Sequence, residues 1–266
     1  MTASLLEAMM RAGPNLLRLW PEGATKGPSG PSQSLFRKVS MGMGLQAVLF
    51  DLDGTLIHSL PDLVAAVNRL LASEGRGALD DRTVMSFVGD GAGTLVMRAF
   101  TATGGMPGPK VEPYLDRFLA DYEPRSAEST RPWPGVPETL ADLKAAGLTL
   151  AVCTNKPSRA TAEILAALDL GRWFDLVVGA DDAPAIKPDP AHVTCILDRL
   201  GVAADRAVMV GDSANDIVSA RAAGVRSVAL SFGYCHGPVA ELGADWVIDD
   251  FRQLSPLLLG RRPPVS

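Results

Sequence analysis

The sequence predicts an α/β protein: a parallel sheet with an all-helical segment inserted after its first strand. Three observations carry this reading. From about residue 137 onward, short apolar runs alternate strictly with segments of helical spacing, as in a sheet covered by helices on both faces. Between residues 61 and 122 the spacing is helical and no strand candidate interrupts it. A four-residue apolar run at 47–50 stands ahead of that block, so its sheet partners must come from beyond the block.

Size and composition fit one core domain with an insert. The chain has 266 residues, 47% hydrophobic and 21% charged, which supports a sizeable core and excludes a largely disordered chain. Its 25 Lys+Arg against 30 Asp+Glu leave a formal net charge of -5, the wrong sign for a general nucleic-acid binder. No apolar run approaches the roughly 18 residues that cross a bilayer. A cytoplasmic protein with neither nucleic-acid nor membrane partners is expected, as a monomer or homodimer. Cys153, Cys195 and Cys235 are too few and too scattered for a disulfide framework or a zinc site, and are expected as small buried hydrophobes. His58, His192 and His236 lie too far apart in sequence to suggest a histidine-based metal centre.

Residues 1–44 differ from the rest, with a Leu/Met-rich stretch followed by Gly, Pro and Ser. They are expected to form a disordered extension, or to precede a start at Met41 or Met43, rather than to act as a targeting segment. The run at 47–50 ends in Asp51 and reads as a buried strand. Helical patterns follow at 61–74, 80–88, 92–103 and 111–122, and then Pro132, Pro134 and Gly135 break the chain. Helices at 137–146, 158–168, 190–200 and 214–223 then alternate with strands at 148–153, 176–178, 207–210 and 226–230. Short elements are expected at 238–242, 246–248 and 251–259. The domain reading is therefore a Rossmann-like core over 45–60 and 132–266, with a helical cap over 61–131.

In parallel sheets of this kind the chemistry collects at the carboxyl ends of the strands, where the strand order switches. Four candidate strand ends or following loops carry polar groups. They are Asp51-Leu52-Asp53-Gly54-Thr55, Thr154-Asn155, Lys187-Pro188-Asp189-Pro190 and Gly211-Asp212-Ser213-Ala214-Asn215-Asp216. In this order the set resembles the four motifs of the haloacid dehalogenase-like hydrolase superfamily, over about residues 46–258. A lone Asp-x-Asp is a weak signal. Four ordered motifs at four strand ends are a specific one.

The resemblance implies phosphoryl transfer, and the residue types suit it. Asp51 is the candidate nucleophile, because a carboxylate can attack phosphorus and form an aspartyl-phosphate. Asp53, two residues on, would protonate the leaving group and then activate water. Gly54 permits an unusual backbone angle where the chain leaves the strand. Asp51, Asp53, Asp212 and Asp216 would repel one another in a tight cleft, and a hard cation with oxygen ligands, Mg²⁺, would resolve the conflict. The resemblance implies the Asp51 side chain, the Asp53 carbonyl and the Asp212 side chain as its ligands. It leaves Asp216 to orient a metal-bound water or Lys187, or to serve as a first-turn helix acid. Lys187 would keep Asp51 ionised and neutralise charge on the phosphoryl oxygens. Thr154 and Asn155 would donate to the phosphate, or cap the following helix.

His58 stands where relatives often carry an acid, and is expected to tune a flap rather than to catalyse. His192, on a predicted helix, reads as structural. Asp53 separates phosphate enzymes from dehalogenases, which lack an acid there. The cap stretch Val88-Gly89-Asp90-Gly91-Ala92-Gly93 is similar to the phosphoglycolate phosphatase pattern. So are Cys153-Thr154-Asn155-Lys156-Pro157, Val178-Gly179-Ala180-Asp181-Asp182 and Ser231-Phe232-Gly233-Tyr234. Gly89, Gly91 and Gly93 would offer backbone amides to a substrate carboxylate, or simply build a turn. The implied substrate is a small phosphorylated metabolite, foremost 2-phosphoglycolate. A different small phosphomonoester or a pyrophosphate stays open, as does a phosphomutase of the β-phosphoglucomutase type.

Overall fold

The computed structural model describes residues 44–235 and 237–261. The expectation for the N-terminal extension falls, apart from Gly44, outside the described residues, and so does His236.

Strand β1, Ala47–Phe50, is buried along its whole length. The chain then makes a two-residue strand β2, Ile57–His58, and enters helices α1 (Leu60–Ser73), α2 (Asp81–Met85), α3 (Ala92–Ala102) and α4 (Glu112–Tyr122). It returns through β3, Arg131–Pro132, which pairs antiparallel with β2. Helix α5 (Val136–Ala145) leads to β4 (Thr149–Cys153), α6 (Ser158–Ala167) to β5 (Leu176–Val178) and α7 (Ala191–Leu200) to β6 (Ala207–Gly211). Helix α8 (Ala214–Ala222), β7 (Arg226–Leu230), β8 (Trp246–Ile248) and α9 (Leu254–Leu259) complete the described fold.

The six-stranded sheet has the order β5-β4-β1-β6-β7-β8, and every neighbouring pair is parallel. Strand β1 lies in the middle, with Phe50 opposite Val152 of β4 on one side and Val210 of β6 on the other. The chain moves outward from β1 to β4 and β5, then crosses back to β6 on the far side of β1. The order therefore reverses between β1 and β6, and a crevice opens at their carboxyl ends. Asp51 and Asp212 are the first residues beyond those two strands.

Alternation along β1 divides the core between the two faces. Val48 and Phe50 join Leu140, Leu143, Phe251 and Leu254 on one face, while Ala47 and Leu49 join Val193, Ile196 and Ala220 on the other. A separate apolar cluster forms in the helical segment around Val67, Leu71, Val96, Phe100 and Phe118, and Tyr234 reaches it from the core.

Three local expectations change. The antiparallel pair β2–β3 has no counterpart in the sequence reading, because two residues are too few to show a period of two. Helix α2 ends at Met85 rather than near 88, because the chain then tightens into turns, with the Phe87 N–H donating to Val84 O and the Val88 N–H to Met85 O. The segment at 251–259 divides into a 3₁₀ turn, Phe251–Gln253, and α9. Of the cysteines only Cys153 is fully buried; Cys195 and Cys235 are half-buried. Among the described residues no helix is long and apolar enough to cross a membrane.

Candidate active site

Sheet hydrogen bonding carries β1 one step past its last strand residue, with the Asp51 N–H donating to Val210 O at 2.9 Å. This holds the Asp51 side chain in the crevice, 11% exposed. Lys187 arrives from the loop before α7, and its side chain is 1% exposed. Its ammonium lies 3.0 Å from Asp51 Oδ1 and donates to Asp216 Oδ1 and Cys153 O, each at 2.6 Å. All three ammonium protons therefore have acceptors. Burial works against the charge on Lys187, but Asp216 and Asp51 outweigh it and hold the group protonated above the usual lysine range.

Asp216 contacts Lys187 and also sits in the first turn of α8. One oxygen accepts from Lys187; the other accepts from the Ser213 N–H at 3.0 Å and its hydroxyl at 2.6 Å, a capping box that starts α8. Asp212 is 2% exposed. Its Oδ1 accepts from Thr55 Oγ1 at 2.8 Å and its Oδ2 from the Tyr234 N–H at 2.6 Å. Gly54, at φ 83°, passes so close that a Cβ there would run into the Asp212 carboxylate. Glycine is thus required both by the turn and by the close approach.

Asp51, Asp212 and Asp216 each place a carboxylate oxygen within 4.8 Å of the others. Burial pushes the Asp51 carboxyl up to about 6, an effect that Lys187 partly opposes and Asp216 reinforces. Burial, then Asp216 and Asp51, pushes Asp212 well above the ordinary carboxylate range. Three buried carboxylates thus share one ammonium, that of Lys187, and their ionised forms are only partly compensated. A hard cation bound by oxygen ligands supplies it, so the donor set fits a Mg²⁺-type ion.

Asp53 faces the same crevice. Its Oδ1 accepts from Ser59 Oγ at 2.5 Å, and both of its oxygens lie 3.1 Å from Lys156 Nζ. Lys156 belongs to the Cys153–Pro157 motif, where the sequence pattern assigns it no role. It is buried, it donates to Tyr122 Oη of α4 at 2.6 Å, and Asp53 and Tyr122 hold it protonated against the effect of burial. The available signal was a second lysine directly after Thr154-Asn155 at a strand end. Its partner on α4 was not visible in sequence.

Thr154 lies at the end of β4 and its Oγ1 accepts from the Lys156 N–H at 3.2 Å. The Asn155 side chain is committed elsewhere. Its amide donates to Gly89 O at 2.9 Å and Lys187 O at 2.8 Å, and its oxygen accepts from the Lys187 N–H at 2.8 Å. Neither side-chain proton is left for a phosphate, so this amide fastens the Lys187 loop to the helical segment instead. Neither Thr154 nor Asn155 caps α6, whose N-cap is Pro157.

Gly89 and Gly91 line the cavity above Asp51 and Asp53, with Thr154, Asn155 and Lys156 on its floor and Val88, Leu95, Phe118 and Tyr122 among its other walls. Gly93 instead faces Leu115. The cavity measures about 50 Å³. His58 lies in β2, with Nδ1 3.0 Å from Tyr234 Oη and its ring 4.9 Å from that of Trp133. His192 is buried with Nε2 3.3 Å from Val178 O.

The family model for haloacid dehalogenase-like hydrolases matches residues 48–230. A phosphoglycolate phosphatase of Rhodospirillum rubrum is 46% identical over 218 residues, covering 80% of this chain and 90% of the relative. One of Caulobacter vibrioides is 47% identical over 205 residues, covering 77% and 86%. Among solved structures, a protein of Haemophilus somnus 129pt described as a predicted phosphoglycolate phosphatase superposes with a TM-score of 0.76 at 35% identity, covering 80% of this chain and 98% of that one. CbbY from Rhodobacter sphaeroides in complex with phosphate gives a TM-score of 0.69 at 27% identity, covering 79% and 96%. With buried carboxylates at the switch point, a lysine held between two of them and a family match running from β1 to β7, the chain belongs to the haloacid dehalogenase-like hydrolases.

Proposed function

We propose that this hydrolase is a Mg²⁺-dependent phosphatase that converts 2-phosphoglycolate to glycolate and phosphate through an aspartyl-phosphate on Asp51. The observation that carries the reading is the placement of Asp51 and Asp53 on one small cavity, beneath a helical segment that closes over the strand ends. The relatives named above support the substrate.

In this reading the Asp51 carboxylate attacks phosphorus. Lys187 keeps that carboxylate ionised and aligned, and its own position is set by Asp216, Cys153 and the Asn155 clasp. Asp53 gives a proton to the departing alkoxide and takes one from the water that hydrolyses the aspartyl-phosphate. Thr154 Oγ1 accepts from the Lys156 N–H, which leaves the hydroxyl proton to donate to a phosphoryl oxygen. Mg²⁺ would be held by Asp51, the Asp53 carbonyl and Asp212, with Asp216 supporting, and would supply charge neutralisation for the phosphoryl group. Thr55 and Tyr234 orient the Asp212 carboxylate for that task.

The test is phosphate release with Mg²⁺ across a panel of phosphorylated metabolites. At least ~10²-fold higher kcat/KM for 2-phosphoglycolate than for glucose 6-phosphate is expected, the scale of one or two charge-assisted contacts. Equal efficiencies would remove the substrate assignment, and interconversion of sugar phosphates without free phosphate would make the protein a mutase.

A further inference from the structure

The cavity holds a cation that phosphoryl chemistry at Asp51 does not use. Among the described residues Lys156 is the one cationic side chain on its lining, and the side chain is 3% exposed. Around it stand Leu63, Val88, Leu95, Phe118 and Leu119, apolar walls on which a bare anion would be strongly disfavoured.

The contacts of Lys156 are uneven. Its bond to Tyr122 Oη is short, at 2.6 Å, and the Tyr122 ring centroid lies 4.7 Å away. Its contacts to the Asp53 oxygens are both 3.1 Å, longer than the about 2.7–2.9 Å of a tight charge-assisted bond. One ammonium proton faces Tyr122, and the other two serve a loosely shared carboxylate with capacity for another acceptor. Tyr122 belongs to α4 of the helical segment, while Lys156 belongs to the loop after β4. The aim of the ammonium therefore depends on the two parts meeting.

Substrate chemistry places a second anion here. To receive a proton from Asp53, the ester oxygen must come within hydrogen-bond reach of that carboxyl. In 2-phosphoglycolate the carboxyl carbon is two bonds beyond the ester oxygen. A cation already in contact with Asp53 is then in reach of the substrate carboxylate.

We propose that Lys156 is a specificity-determining residue that binds the carboxylate adjacent to the substrate's ester carbon, and that Tyr122 is the positioning residue that aims its ammonium. This rests on the phosphoglycolate reading and deepens it. The amides at the start of α3, beside Gly91 on the same cavity, would complete the carboxylate's coordination.

The test compares kcat/KM for 2-phosphoglycolate with that for ethyl phosphate, which has a methyl group in place of the carboxylate. The full chain is used with Mg²⁺. The ratio is expected to fall about 10- to 100-fold in Lys156→Met, the loss of one hydrogen bond to a charged group, and to recover in part in Lys156→Arg. Tyr122→Phe keeps the ring but cannot bond to Nζ, and is expected to lower the ratio at least threefold. That arm remains decisive if Lys156→Met fails to fold. A parallel loss on both substrates with an unchanged ratio would overturn the proposal and leave Lys156 as a counter-ion of Asp53 alone. A wild-type ratio near one would instead be a failure of the phosphoglycolate reading.

Discussion

Tyr234 donates its backbone N–H to Asp212 Oδ2 at 2.6 Å. Its phenol oxygen meanwhile accepts the N–H groups of Ser59 at 2.9 Å and Leu60 at 3.0 Å, where α1 begins. One residue thus ties an active-site carboxylate to the base of the helical segment. Tyr234→Phe keeps the contact to Asp212 and leaves two buried amides without an acceptor. A loss of about 1–3 kcal/mol per unsatisfied group is expected, measured as a reduced denaturation midpoint by chemical unfolding. An unchanged midpoint would show that water replaces the phenol.

Asp51→Asn is expected to reduce turnover by more than ~10³-fold, because an amide is a poor nucleophile and Asp212 and Asp216 are both held by other donors. Beryllofluoride and fluoroaluminate should inhibit the wild type as mimics of phosphorylated aspartate. Near-normal turnover by the variant would assign the attack to another group.

Chelation with EDTA should abolish turnover and Mg²⁺ should restore it. The affinity for Mg²⁺ should also depend on pH. The Asp51 carboxyl is raised to about 6 in the metal-free protein, so protons compete with the cation below that value. Titration by calorimetry should show proton release on binding and weaker binding as pH falls through about 6. Affinity that is flat between pH 7 and 5 would show that Asp51 does not titrate with the site.

His192 gives a stability test that does not involve turnover. Burial first, then Lys187, depresses its imidazole from 6.5 to about 4. The unfolded chain therefore binds this proton more readily than the folded chain. The contribution is present above about 6.5 and is lost as pH falls toward about 4, on the order of 3 kcal/mol. His192→Gln retains a donor for Val178 O and cannot titrate. Its unfolding free energy should change less between pH 7 and 4.5 than that of the wild type, and identical pH profiles would remove His192 as the cause.

Asp62 fastens the far end of the helical segment. Its carboxylate is 5% exposed and accepts the N–H groups of Ser129 and Thr130 and the Thr130 hydroxyl. Asp62→Ala should destabilise by about 2–4 kcal/mol through the two orphaned amides, seen as early protease cleavage near 129–130. Wild-type resistance would show that the segment is held elsewhere.

The alternation of strands and helices, the helical block after β1, and the acids and lysine that meet at the switch point can all be read along the chain. All three are written in local patterns: apolar runs of four or five residues, helical spacing, and acids directly after strands. Asp51, Asp212 and Lys187 were legible because each lies within or directly beside such a pattern. The tertiary structure alone decided what those groups touch. Asn155 looked like a phosphate donor, yet two carbonyls 66 and 32 residues away in sequence take both of its protons. Lys156 has no role assigned by the Cys153–Pro157 pattern, because its partners Asp53 and Tyr122 are 103 and 34 residues distant. Tyr234 reaches the start of α1 across more than 170 residues. Hydrogen bonds of this kind follow from which loops the sheet order brings side by side, and no periodicity along the chain records that proximity.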